Sequence, residues 1–324
     1  MKFLNALFFK WTFALLLSGI IFSAKAQKTG ASQPDQPGWY RMQLGDFQVI
    51  ALSDGTIPLN LKGLLHETKS GEVPELLHHD YLDTIVETSI TSYLVVANNQ
   101  LILIDAGCGN LMGSTLGKLK KNLIAAGFLP EDINAVLLTH LHADHVGGLL
   151  DGDKMAFPNA TVYVSKAEAA FWLTLTNKEK ANKRAQPFFD PAQAAIMPYQ
   201  KAGRVKTYDP GTTLFPGISS IASSGHTPGH SCYAIESKGQ KLVFWGDIIH
   251  AGAVQFSDPA VTIEFDVDLK AAAAARHTIF DDAVKKEYWI AAPHLSFPGL
   301  GHLNTDGKHY QWFPANYVSI FPGL

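Results

Sequence analysis

Thr139-His140-Leu141-His142-Ala143-Asp144-His145-Val146-Gly147-Gly148 packs three imidazoles and a carboxylate into six residues. A hydrophobic core has no use for that density of titratable groups, because such groups are rarely buried together without a metal or a partner. Two transition-metal ions do need it. The run before it, Ile133 to Leu138, is mostly apolar and reads as a buried strand. The ligands therefore sit where a rigid strand meets an open cleft. His140 and His142 are two apart, so in extended chain they point the same way. Asp144 and His145 follow where the chain turns, and can face a second ion. Gly147 and Gly148 let the backbone bend tightly beside the metals.

The remaining ligands are expected downstream at strand ends. Ser224-Gly225-His226-Thr227-Pro228-Gly229-His230 follows the strand-like Ile218 to Ala222. His226 is the candidate third ligand of the first ion, held by a Pro-Gly turn. His230 reads as a structural neighbour. Leu242-Val243-Phe244-Trp245-Gly246-Asp247 is an apolar strand ending in Gly-Asp. A carboxylate at that tip has two oxygens, can bridge two cations and offsets their repulsion. For the last ligand there are two candidates. His294 follows the apolar Trp289-Ile290-Ala291-Ala292, and His302 ends the loop Phe297-Pro298-Gly299-Leu300-Gly301-His302. His302 is preferred, because functional groups concentrate on such loops.

His140-x-His142-x-Asp144-His145, followed in order by His226, Asp247 and His302, resembles the metallo-β-lactamase superfamily. The resemblance runs from about Trp39 to the C-terminus and includes Leu103-Ile104-Asp105-Ala106-Gly107. Phe-Pro-Gly-Leu-Gly-His and Tyr310-Gln311-Trp312 resemble the branch of methyl parathion hydrolase and N-acyl-homoserine lactonases. The resemblance implies an α/β fold, a four-layer αββα sandwich. It implies two Zn²⁺, the first on His140, His142 and His226, the second on Asp144, His145 and His302, with Asp247 bridging. The same N/O donors also take Mn, Co or Fe.

The chain has 324 residues, 26 basic and 29 acidic. Residues 1–26 read as a signal peptide: Lys2 is basic, Trp11 to Phe22 is apolar, and Ala24-Lys25-Ala26 is a cleavage site. Lys10 and Lys25 leave the apolar stretch short for a membrane anchor. The expected mature chain is periplasmic or secreted. Removing 1–26 takes away three Lys and no acid, so 26 − 3 = 23 basic against 29 acidic, a balance of −6. That argues against a nucleic-acid partner, since nothing basic is massed to neutralise phosphates. The two cysteines, Cys108 and Cys232, read as small buried hydrophobes rather than a disulfide.

Residues 27–38 read as a flexible lead-in and 39–324 as a single hydrolase domain. Phe47 to Leu52, Ser92 to Val96 and Thr161 to Val164 look like strands. Leu116 to Ala126 is helical in spacing and stops at Gly127. Glu168 to Leu175 begins a helix, Asn177 to Tyr199 resembles an insertion over the site, and Leu269 to Lys286 is a helix rich in alanine.

The expected chemistry is hydrolysis without an organic cofactor. Water between two cations loses a proton near neutral pH and attacks a carbonyl carbon or phosphorus. Asp144 receives the proton and passes it to the leaving alkoxide. Leu59, Leu61, Trp172, Phe188, Phe189, Ile263 and Phe265 are candidates for a substrate pocket that suits an acyl chain or aryl ring. His250 lies three residues past Asp247. In the resembled branch that position faces substrate, and a polar group there belongs to lactone- and ester-cleaving relatives. The preferred substrate is an N-acyl-homoserine lactone, with a phosphotriester, an aryl ester or a dihydrocoumarin-type lactone as the alternative. Dimerisation is suggested by the resemblance only. A non-catalytic metal-binding protein is the rival from a different class, and the intact ligand set weighs against it.

Overall fold

Both large sheets of this protein run in chain order, each strand beside its sequence neighbour. The computed structural model describes residues 36–319. The signal-peptide expectation for 1–26, and most of the lead-in, lie outside these residues. Residues 37–319 form one compact unit. Gly38 already belongs to it: the residue is buried, and its carbonyl accepts from Ser53 N at 2.8 Å.

The first sheet contains β1 (Trp39–Leu44), β2 (Phe47–Asn60), β3 (Ile85–Ala97), β4 (Gln100–Ile104), β5 (Ala135–Leu137), β6 (Thr161–Ser165) and β7 (Val205–Tyr208). The second contains β8 (Thr213–Phe215), β9 (Ile218–Ala222), β10 (Ser231–Ser237), β11 (Gln240–Phe244), β12 (Trp289–Ala291), β13 (Leu300–Thr305) and β14 (Tyr310–Pro314). Strands β4 to β7 pair in parallel, as do β11 and β12, and the other neighbours are antiparallel. Among the described residues, five helices of seven residues or more flank the sheets. They are α1 (Glu72–His79), α2 (Leu119–Ala125), α3 (Lys166–Trp172), α4 (Phe189–Lys201) and α5 (Leu269–Lys286).

Strand side chains alternate between faces, and here both faces of each sheet are covered, so the central strands carry apolar residues on both faces over much of their length. Val49, Ala51, Tyr93, Val95, Ile102 and Ile104 face the second sheet's Tyr233, Ile235, Leu242 and Phe244. The residues between them, Ile50, Leu52, Leu94 and Leu103, pack outward under Leu119, Leu123, Phe189 and Ile196. On the far side Cys232, Ala234, Val243 and Ile290 pack against Ile279, Phe280 and Ala283 of α5. Three apolar interfaces between four layers make the αββα sandwich. Among the described residues no helix is long and apolar enough to cross a membrane.

The helix over 269–286 forms with the expected bounds, its N-terminus capped by Asp268 accepting from Ala271 N at 3.0 Å. Strands β2 and β3 run well beyond the stretches their periodicity suggested. They form a long antiparallel ladder that shifts register between Ser53 and Gly55. The segment 177–199 is not a separate excursion. Its α4 buries Phe189, Ala192, Ile196 and Tyr199 in the core of the first sheet. Cys108 and Cys232 are both buried and free.

Candidate metal centre

Three parallel-sheet strands each deliver one side chain to the same place, three residues past their last ladder residue. Strand β5 ends at Leu137 and gives His140, β11 ends at Phe244 and gives Asp247, and β12 ends at Ala291 and gives His294. His142 remains extended, with φ −72° and ψ 156°, and caps the single helical turn Ala143–Val146 that carries Asp144 and His145. His226 lies in the loop after β9. The Asp247 turn needs Gly246, whose φ is +53° and whose Cβ position falls 2.6 Å from His230 Nε2. Gly147 and Gly148 do not have the left-handed backbone that tight bending suggests. A side chain on either would strike the carbonyls of Cys108 or Ala106, so they are small to admit the neighbouring turn.

Two groups of ligand atoms result: His140, His142, His226 and Asp247; and Asp144, His145, His294 and Asp247. Asp247 divides its oxygens between them. Its Oδ2 lies 3.1 Å from His226 Nε2 and 3.6 Å from His140 Nε2. Its Oδ1 lies 3.0 Å from both His145 Nε2 and His294 Nε2. Asp144 Oδ2 is 3.4 Å from His145 Nε2 and 3.6 Å from His294 Nε2. Donors about 2.0–2.1 Å from one tetrahedral ion stand roughly 3.3–3.4 Å apart, so this spacing fits two zinc-sized cations. The nitrogens themselves call for cations. His140 Nε2 and His145 Nε2 are buried without a hydrogen bond, and His226 Nε2 faces His142 Nδ1 at 2.9 Å. Lone pairs so close need a proton or a metal between them.

The structure replaces His302 with His294. His302 sits within β13, where its Nδ1 meets the Tyr288 carbonyl at 3.2 Å and its ring packs 3.9 Å from that of Trp289. Strand alternation turns it away from the cluster, whereas His294 lies at the strand end that faces it. The signal was present in the sequence: His294 has the same three-residue offset from an apolar strand as Asp247.

Each ring needs its second nitrogen held, and the holders come from distant segments. His145 Nδ1–H donates to Asp105 at 2.8 Å, and Asp105 also takes the Thr139 amide and hydroxyl, both at 2.8 Å. His226 Nδ1–H donates to buried Asp266 at 2.7 Å, and His294 Nδ1–H to the Ser89 carbonyl at 3.0 Å. His142 is the exception: its Nε2 has no partner, and the Phe188 ring covers it at 4.1 Å. Glu168, fully buried, ties the two ligand loops together. It accepts from Leu141 N, Thr227 Oγ1, Gly229 N and Trp172 Nε1 at 2.6–2.9 Å. Sequence reading missed Asp105, Asp266 and Glu168 as holders. His230 is structural, its Nε2 accepting from Asp247 N at 3.0 Å.

The charge balance explains the titration behaviour of the metal-free protein. Burial holds His140 and His142 well below the usual imidazole range, and neighbouring rings add to it. Burial also opposes charge on His226, but Asp247 and Asp266 overcome it and raise that ring to about 9. His145 is likewise raised, since Asp247, Asp144 and Asp105 outweigh its burial. The Asp144 and Asp247 carboxyls lie below their usual range despite burial, with His145 the first of the opposing charges.

His250 does not join either ligand group. Its Nε2 lies 3.0 Å from Asp247 Oδ2 and its ring stacks on His294 at 5.1 Å, so it steadies the bridging carboxylate. It also forms part of the floor of an open cleft of about 860 Å³, together with His294. Leu61 lines that cleft as well. Other expected pocket residues do not. Trp172 and Phe189 are fully buried in the core, and Ile263 is buried in a short strand beside Leu65. Leu59 packs at the margin of the small cluster around Leu61. Phe188 and Trp172 pack on the ligand ring of His142, at 4.1 and 5.4 Å, and Phe265 lies 6.1 Å from the ring of His250.

Residues 85–294, which span the whole ligand set, match the metallo-beta-lactamase superfamily. The chain belongs to that superfamily. It is a superfamily hydrolase, similar to a solved hydrolase named AbOPH, "in beta lactamase superfamily", at 42% identity and TM-score 0.84. That likeness covers 88% of this chain and 100% of the other. AidC, a dizinc quorum-quenching lactonase solved with the product N-hexanoyl-L-homoserine, is 28% identical with TM-score 0.82 and the same coverage. An N-acyl homoserine lactonase of Bacillus cereus is 27% identical over 143 residues, 44% of this chain and 49% of that protein. The superfamily hydrolase thus spans about half of that lactonase, and 38% of a Thermus thermophilus ribonuclease that it also matches at 27% identity.

Proposed function

We propose that this superfamily hydrolase opens the lactone ring of N-acyl-homoserine lactones with two zinc ions in the His/Asp cluster. The observation that carries this reading is Asp247, with one oxygen toward each of two histidine groups, beside His250 and His294, which line an open cleft. AidC and the Bacillus lactonase support the choice of substrate. Two ions held there supply Lewis acidity and bring the ionisation of water close to neutral pH. His140, His142, His226 and Asp247 would hold one, and Asp144, His145, His294 and Asp247 the other. Asp144 is the ligand with an open side, 17% exposed against 0–3% for His140, His145, His226, Asp247 and His294. It is therefore placed to pass a proton to the leaving alkoxide. His250 holds Asp247 and meets the substrate from the cleft floor. Phe188 covers the ligand ring of His142, and Phe265 packs beside Phe188 and His250.

A phosphotriester or aryl-ester hydrolase is the second reading, favoured by the aromatic pair Phe188 and Phe265 near the metal ligands. Export to the periplasm or medium is part of the proposal, supported by the character of residues 1–26. The test compares an N-acyl-homoserine lactone, methyl parathion and a cephalosporin in a pH-stat. Each is assayed before chelation, after it, and after zinc return. Metal-dependent lactone opening with kcat/KM above about 10⁴ M⁻¹s⁻¹ and far slower turnover of the others supports the lactonase. A faster phosphotriester would displace it.

A further inference from the structure

The cleft above the metal centre is apolar within and acidic at its mouth. Leu76 and Leu82 line one side, and Phe256 and Trp312 the other. Asp80, Glu87 and Asp306 supply its carboxylates, and among the described residues lining it there is no Lys or Arg. Its outer imidazoles are already engaged. His79 Nδ1 lies 2.9 Å from Asp80, and His309 Nδ1 meets the Ser257 carbonyl at 3.0 Å. At the floor, His250 is 4% exposed, and its Nδ1 has no hydrogen-bond partner while Nε2 is held by Asp247. A carboxylate on the non-reacting chain would have to lie among three acids, with no Lys or Arg among the described lining residues to pair with it.

We propose that this cleft receives the non-reacting chain of the substrate, and that its acidic mouth selects uncharged apolar esters and lactones over those whose chain carries a carboxylate. This rests on the hydrolase reading and narrows its substrate class. One-sign charge around a low-dielectric cleft changes local ligand concentration and encounter rate by about 10-fold or more, and salt removes the effect. The Debye length falls from about 20 Å at 20 mM to about 4 Å at 500 mM salt. The selectivity is therefore a low-salt property.

The zinc-loaded protein is given 4-nitrophenyl hexanoate and the mono-4-nitrophenyl ester of adipic acid, equal in chain length and differing by a terminal carboxylate. Expected is a preference in kcat/KM for the neutral ester of about 10-fold at 20 mM salt, falling below about 3-fold at 500 mM. Glu87, exposed on β3, is then reversed. Glu87→Lys cuts the low-salt preference at least about threefold, whereas Glu131→Lys, an exposed site off the cleft, leaves it in place. A ratio unmoved by salt and by Glu87→Lys overturns the proposal. If neither ester is turned over, the hydrolase reading fails separately. Calorimetry with decanamide and its ω-carboxylate then decides the cleft. Tighter binding of the amide, with the gap narrowed by Glu87→Lys, supports it, and equal binding overturns it.

Discussion

His294 Nε2 lies 3.0 Å from Asp247 Oδ1, as close as His145 Nε2 does to the same oxygen. That relationship makes His294 a ligand of the second group and leaves His302 outside. His294→Ala is expected to drop bound zinc from about two ions to about one and to cut activity at least about 100-fold. His302→Ala keeps both ions. Elemental analysis of the purified variants after dialysis against dilute zinc checks this, and metal loss in His302→Ala alone would reverse the assignment.

The carboxylates behind the rings should set metal affinity without touching the metal. Asp266→Asn and Asp105→Asn each weaken zinc binding about 10- to 100-fold, as loss of an acceptor behind a ligand ring does. Competition with a chromophoric chelator measures it. Unchanged affinity in both would show that Nδ1 of His226 and of His145 needs no anionic acceptor.

Zinc loading should release protons. In the metal-free protein burial disfavours charge on His226, yet Asp247 and Asp266 raise the ring to about 9, so it is protonated at pH 7.5. Zinc takes that nitrogen only without its proton. Calorimetric zinc titrations in buffers of different ionisation enthalpy should show release of at least about one proton per protein at pH 7.5. The sign for stability follows: His226 contributes most to the metal-free fold below about pH 6.5, and that contribution is lost as pH rises through about 9. No buffer dependence would contradict both statements.

Glu168→Ala should be the most damaging change outside the ligands. It strands four buried donors, Leu141 N, Gly229 N, Thr227 Oγ1 and Trp172 Nε1. The expected loss is about 3–5 kcal/mol, read from urea denaturation of the metal-free protein. A loss under about 1 kcal/mol would mean that water replaces the carboxylate.

Much of the site could be read because its signals are local. His140, His142, Asp144 and His145 lie within one strand end and one helical turn, so spacing alone places them together. Asp247 and the strand before it form a contiguous pattern of the same kind. His294 has that pattern too, but the Gly/Pro loop around His302 looked more functional than it is. The expected pocket failed for another reason: Trp172 and Phe189 are large aromatics that satisfy a core or a cleft equally well in sequence terms.

The sequence by itself determined the donor set that calls for two cations, and the αββα layering followed only from its resemblance to a known superfamily. Tertiary structure alone decided which histidine completes the second group, which carboxylates hold the rings, and where the cleft opens. These depend on pairs far apart in the chain. Asp105 meets His145 and His226 meets Asp266 across 40 residues, and Glu168 meets Thr227 across 59. Hydrogen bonds of that range leave no periodicity in the sequence. They exist only once sheet register and loop packing bring the strand ends together.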